Sequence, residues 1–234
     1  FVMVDGERSS ITVVDQTFSN ATTGPADWLD KTFFQIEKPN AIEVIYNGTD
    51  STNSWKLAKA SDIADWKLDG ELPEGKELDT AQAPTSALSN PAFNDLANDA
   101  EKVALDKNAT QIKINTSEGF EYVLKVGDST DGSDKIVSVA ITANFPEKRT
   151  PAENESAEDK KKLDEEWAAA QKTLQDKLAN EQKFTQHAYR VSSYTVDAIL
   201  KKRSELIKDE EKGAITPPPG GNLPIPFQNL PPQE

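Results

Sequence analysis

The densest grouping of side chains able to do chemistry is the loop Asp128-Ser129-Thr130-Asp131-Gly132-Ser133-Asp134. Its three carboxylates and three hydroxyls are oxygen donors of the kind a Ca²⁺ site uses. The spacing is not that of an EF-hand loop, because the twelfth position from Asp128 is Val139 rather than Glu. Asp128, Asp131 and Asp134 are therefore weak metal candidates. The expectation is a solvated hairpin loop, with no catalytic, cofactor or metal site assigned.

Other chemistries have little to draw on. The chain has no Cys, so thiolate zinc sites, iron–sulfur clusters, disulfides and cysteine nucleophiles do not arise. His187 is the single imidazole, which removes multi-histidine metal sites, and it reads as an exposed residue at a helix end. No phosphate-cradling glycine pattern and no Gly-x-Ser-x-Gly elbow occurs. With 40 acids against 26 bases the net charge is −14, the wrong sign for a nucleic-acid surface. Formal glycosylation acceptors begin at Asn20, Asn47, Asn108, Asn115 and Asn154; they matter only in a eukaryotic secretory setting.

The elements that position these residues read as α+β: antiparallel sheets with short helices, one long charged helix and a Pro-rich tail. Residues 1–146 form a β-rich body. A hairpin is expected over residues 1–14, then strands at Ile42–Tyr46 and Ser54–Leu57, and a meander of Gln111–Asn115, Glu121–Val126 and Ile136–Ile141. Loops of three to eight residues between the meander strands imply antiparallel neighbours. Trp-Lys-Leu recurs at 55–57 and 66–68, and a hairpin with an acidic turn recurs at 1–14 and 122–141. The second recurrence suggests two related units, the first cut short because the sequence starts inside a longer polypeptide. A short turn is expected at Ala26–Thr32, and a helix opened by Asn90-Pro91 with a Phe93, Leu96, Ala97 stripe.

Beyond the body, Thr150-Pro151-Ala152-Glu153 has the form of a capping box, so the long helix spans 150–187 with its regular part ending at Lys183. That part is about 33 residues, or roughly 50 Å. Its apolar stripe (Leu163, Trp167, Ala170, Leu174, Leu178) is narrow, which fits an arm, a helix paired with another, or a helix lying on the body. A strand through Tyr189 and Val191 and an amphipathic helix capped by Thr195 fill 188–212. In that helix Val196, Ile199, Leu200, Arg203, Leu206 and Ile207 form the buried side, and Gly213 and Pro217 end it. Seven of the fourteen prolines fall in the extended tail, 213–234.

Several blocks resemble bacterial domain-of-unknown-function family 4340. They are Phe33-Phe34-x-Ile36, Ile42-x-Val44, Ser54-Trp55-Lys56-Leu57, Ala64-Asp65-Trp66-Lys67-Leu68, Glu77-Leu78-Asp79, Phe93-x-Asp95-Leu96 and Leu105-Asp106-Lys107. Ile112-x-Ile114, Gly119, Tyr122 and Leu124-Lys125-Val126-Gly127 continue the match. The resemblance covers residues 1–146, and more loosely Tyr189–Leu206. It implies an extracytoplasmic domain on the periplasmic side, held to the inner membrane by an upstream helix and working with an ABC-type transport or gliding-motility complex. It implies no catalytic residues. This sequence departs from the pattern in lacking the anchor and in carrying the long helix.

Three functional expectations follow: a non-enzymatic accessory or scaffold domain; a module binding cell-envelope glycans through Trp55 and Trp66; and a hydrolase using two carboxylates. For the second, alternation on a strand puts Trp55 and Leu57 on one face, the core side. For the third, two acids must converge at about 5–10 Å with a raised pKa.

Overall fold

The computed structural model describes residues 24–151 and 155–210. The expected α+β architecture is present as an eight-stranded antiparallel sheet with a few helices and a separate two-stranded ribbon. The large sheet contains β1 (Pro39–Ile45), β2 (Trp55–Ala58), β3 (Lys67–Leu68), β5 (Asp95–Leu96), β6 (Thr110–Thr116), β7 (Phe120–Asp128), β8 (Asp134–Ala143) and β9 (Ala188–Ser192). Its spatial order is β3-β2-β1-β6-β7-β8-β9-β5. The ribbon pairs β4 (Lys76–Leu78) with β10 (Ile207–Asp209).

The meander expected from alternation is the middle of this sheet. In β7, Phe120, Tyr122, Leu124 and Val126 are buried while the residues between them are not, because successive side chains point to opposite faces. Register carries the same face across: Ile42 sits opposite Ile114, which sits opposite Tyr122, which sits opposite Ile141. The two Trp-Lys-Leu copies are also neighbours, with Leu57 opposite Leu68. One face carries the main core, including an aromatic group around Phe33 with ring centroids 4.4–5.3 Å from Phe34, Phe93, Phe184 and Tyr189. The other face holds a smaller cluster of Ala97, Leu105, Ala109, Ile136 and Ala188 beneath α1 (Asp99–Asn108).

Gly119 closes the β6–β7 hairpin at φ 92°, and a Cβ added there would lie 2.5 Å from the Asn144 carbonyl oxygen. Backbone on one side and a left-handed conformation on the other leave a side chain no place to go. Gly119→Ala is expected to cost about 2 kcal/mol or more, read as a lower urea midpoint with unchanged m-value.

Three helical expectations need correction. Asn90-Pro91 does not open a helix: Phe93 is buried in a loop, and Leu96 lies in β5, paired with β9. The backbone N–H groups of Asn94 and Ala97 are drawn to the carbonyls of Arg190 (2.8 Å) and Ala188 (2.9 Å). The helix starts at Asp99, where Asn98 and Glu101 form a reciprocal capping box with both bonds at 3.0 Å. The long helix α2 runs Ala157–Glu181, 25 residues or about 37 Å, and starts later than Thr150-Pro151 predicts. Ser156 is its N-cap, accepting from the Asp159 N–H at 3.1 Å, and Arg149 ties the preceding strap to Glu155 and Asp164. A short 3-10 stretch (Gln182–Gln186) continues it. The final amphipathic helix is broken: α3 is only Ser193–Asp197, preceded by Ser192 rather than Thr195 as the cap residue, and a 3-10 turn at Arg203–Leu206 leads into β10. At the break the Trp55 indole N–H donates to the Lys201 carbonyl at 2.6 Å and the Tyr46 hydroxyl to that of Leu200, tying this segment to the residues that follow β1 and open β2. Val196, Ile199 and Leu206 are nevertheless buried, as their spacing indicates.

The turn near Trp28 is a single 3-10 turn, Pro25–Trp28. The expected hairpin at 1–14, the residues Ala152-Glu153 of the supposed capping box and the Pro-rich tail 213–234 lie outside the described residues. The returning strand, β9, is a strand of the main sheet, between β8 and β5.

Candidate functional site

The acidic loop joins β7 to β8, and its carboxylates are already engaged. Asp131 accepts from the Ser129 hydroxyl (2.7 Å), from the Ser133 N–H (3.1 Å) and hydroxyl (2.8 Å), and from Arg190 (2.9 Å). Those hydroxyls, the Ser133 amide and the guanidinium hold its carboxyl well below the usual range. Asp128 pairs with Lys135 at 2.6 Å, and Asp134 accepts from the Asn94 amide at 3.5 Å. Among the described residues, no three His, Cys, Asp or Glu groups converge as metal ligands do.

The centre that this loop folds around is a pair the sequence did not announce. Glu101, whose side chain is 0% exposed, lies in the first turn of α1, and Arg190 reaches it from β9 at 2.8 Å. The Thr130 N–H and hydroxyl both donate to Glu101, each at 3.2 Å. Helix start, hairpin loop and sheet strand thus meet on one carboxylate, and every oxygen of it has a donor. The Arg190 guanidinium dominates over burial and holds the Glu101 carboxyl down at about 2. In the unfolded chain the group titrates near 4.5. A depressed folded value means stability is fully present above 4.5 and is lost as pH falls from there towards 2. Thermal melts across that window should fall less steeply for Glu101→Gln than for the parent.

Three acids gather round Arg190: Glu101 at 2.8 Å, Asp131 at 2.9 Å and Asp134 at 4.0 Å. Of these, Glu101 and Asp131 are held ionised by it and by their other donors. A general acid requires the opposite displacement. A cleft of ≈280 Å³ lies farther along α1, between Leu105, Asn108 and the strand ends Val126–Asp128, with Lys135 and Leu200 at its sides. Lys135 is already paired with Asp128 there.

The tryptophans do not form a platform. Trp55 is 3% exposed with its indole N–H bonded inward, and half-buried Trp66 is covered by the Lys59 ammonium, 5.4 Å above its ring. The glycan-binding expectation loses the exposed rings it needs. His187 is exposed, just after the 3-10 stretch at the end of α2, as its sequence context predicts.

What remains prominent is α2 itself. From Ala157 to Glu166 every residue is exposed, and Trp167 is half-buried. The far end is fastened: Leu174 and Leu178 pack on the main core, Lys177 pairs with Glu37 at 2.6 Å, and buried Glu181 accepts from the Tyr122 hydroxyl (2.6 Å) and the Gln35 N–H (3.0 Å). Compared with protein-family models, curated proteins and solved structures, the chain matches none.

Proposed function

We propose that the chain is a non-enzymatic interaction domain that acts as an accessory or scaffold to a membrane complex, with α2 as its contact arm. The observation that carries this is the asymmetry of α2: a C-terminal half locked to the sheet through Leu174, Leu178 and Glu181, and an N-terminal half of exposed charged turns. A helix that served only to cover the core would need a continuous apolar side. The carboxylate cluster at Glu101 is already engaged in tying α1, the β7–β8 loop and β9 together, and contact is assigned to the exposed half of α2.

The compartment and the kind of complex rest on the family resemblance: an extracytoplasmic domain beside an ABC-type transport or gliding-motility assembly, membrane-held through a segment upstream of this sequence. The test is fractionation of cells carrying the full-length protein, followed by co-purification. Membrane partition together with a permease or auxiliary subunit is expected. A protein found wholly in the cytosol, without any such subunit, would overturn the reading.

A further inference from the structure

The ties at Glu101 and Glu181 make no use of the ≈280 Å³ cleft at the end of the sheet. Its floor is apolar: Leu105 and Val126 are buried, and half-buried Leu200 closes one side. Gly127 also lines it, from inside β7 and with a φ outside the left-handed region, so the backbone there does not call for glycine. A Cβ at Gly127 would lie 3.2 Å from Leu105 Cδ1 and crowd the floor. Glycine inside a strand weakens it and marks a place of close approach. The rim carries both charges. Lys135, 27% exposed, pairs at 2.6 Å with Asp128, which is 77% exposed. Among the described residues, the Asn108 amide and the Thr110 hydroxyl of the rim have no hydrogen-bond partner, unlike the saturated side chains around Arg190.

We propose that this cleft binds a small zwitterion, a free α-amino acid with an apolar side chain of leucine size. One cation and one anion stand at the rim. A lone anion entering there meets Asp128, and a lone cation meets Lys135, so each faces a like charge. A ligand bearing both charges avoids either conflict. Its carboxylate takes Lys135, its ammonium takes Asp128, and one ion pair becomes two with no net charge added. Asp128, mostly exposed, is free to turn from Lys135 to the ligand. The Asn108 amide and the Thr110 hydroxyl supply further hydrogen bonds, and the C-terminal end of α1, where Asn108 sits, favours the ammonium. The ligand side chain then displaces water from above Leu105, Val126 and Leu200.

L-Leucine, titrated into the intact chain and followed by amide chemical shifts, is the probe. It should bind with a dissociation constant of about 1 mM or below, with the shifts centred on Leu105, Asn108 and Gly127. Isocaproate and isoamylamine keep the side chain and one charge each; both should bind roughly tenfold more weakly. Lys135→Gln should weaken leucine roughly tenfold yet leave isoamylamine binding no weaker, a split that loss of the fold does not give. Ala104 lines the cleft from an exposed position on α1, so Ala104→Phe fills the space without entering the core. That variant should keep the parent's circular dichroism and lose leucine binding. Absence of shifts up to about 10 mM leucine overturns the proposal. So does isocaproate binding as tightly as leucine, or leucine binding that survives Ala104→Phe. None of these outcomes bears on α2 as the contact arm.

Discussion

Replacing Arg190 with alanine is expected to lower stability by about 3–5 kcal/mol, the effect of leaving a buried carboxylate without its cation. Glu101 has no solvent exposure of its own to fall back on, and it sits where α1, the β7–β8 loop and β9 meet. The loss should therefore be cooperative, with the loop and the first turn of α1 released together. Urea denaturation gives the magnitude, and amide exchange at Asp99–Lys102 and Ser129–Asp134 gives the location. Adding Glu101→Gln to Arg190→Ala should recover part of the loss, because an uncharged amide is less costly to bury alone. Equal destabilisation by Arg190→Ala with and without Glu101→Gln would mean that the ion pair is not what holds the junction.

Tyr122→Phe is expected to cost about 2–3 kcal/mol, although it deletes a single oxygen. The hydroxyl donates at 2.6 Å to Glu181, a buried carboxylate in the last turn of α2. Burial, with that carboxylate next in importance, pushes the Tyr122 hydroxyl well above its ordinary value, so it stays a donor throughout the accessible pH range. A negative charge at a helix C-terminus opposes the helix dipole, so Glu181 depends on its two donors more than an acid placed elsewhere. Without the hydroxyl, the fastening of α2 weakens first. The expected signature is faster amide exchange over Leu174–Glu181 than over β7. Adding Glu181→Gln should recover stability, since the substitution removes the charge that the hydroxyl serves.

The contrast between these two ties shows what was readable in the chain. The meander strands were legible because alternation is local: Glu121-Tyr122-Val123-Leu124 announces a half-buried strand without reference to anything else. The thin Leu163–Leu178 stripe of α2 was legible for the same reason. It left an arm, a paired helix and a helix lying on the body equally open, and only the structure shows which half is fastened to the core. Pairing of β1 with β6 was not legible, because some seventy residues separate Ile42 from Ile114 and nothing in either strand names the other. Glu101 and Arg190 are 89 residues apart and met only because β9 inserts beside β8. Part of that site did have a local signal: Asn98-x-x-Glu101 is a capping pattern, outweighed in the sequence by the nearby Asn90-Pro91. The C-terminal helix failed in the opposite way. Its spacing marked Val196, Ile199 and Leu206 for burial, but the segment folds as short turns tied to Tyr46 and Trp55, contacts about 150 residues away that the local spacing does not carry.

Both ties serve one end, a rigid sheet with one helix left to reach outward. The most direct test replaces Lys161 on α2, and separately exposed His187 beyond its end, with a photo-cross-linking residue in the full-length protein in cells. Discrete protein adducts that include a membrane subunit should form from position 161 and be lacking at 187. Adducts equally abundant at both positions, or none at 161 under conditions where the protein is membrane-associated, would contradict the assignment of α2 as the surface through which this domain works.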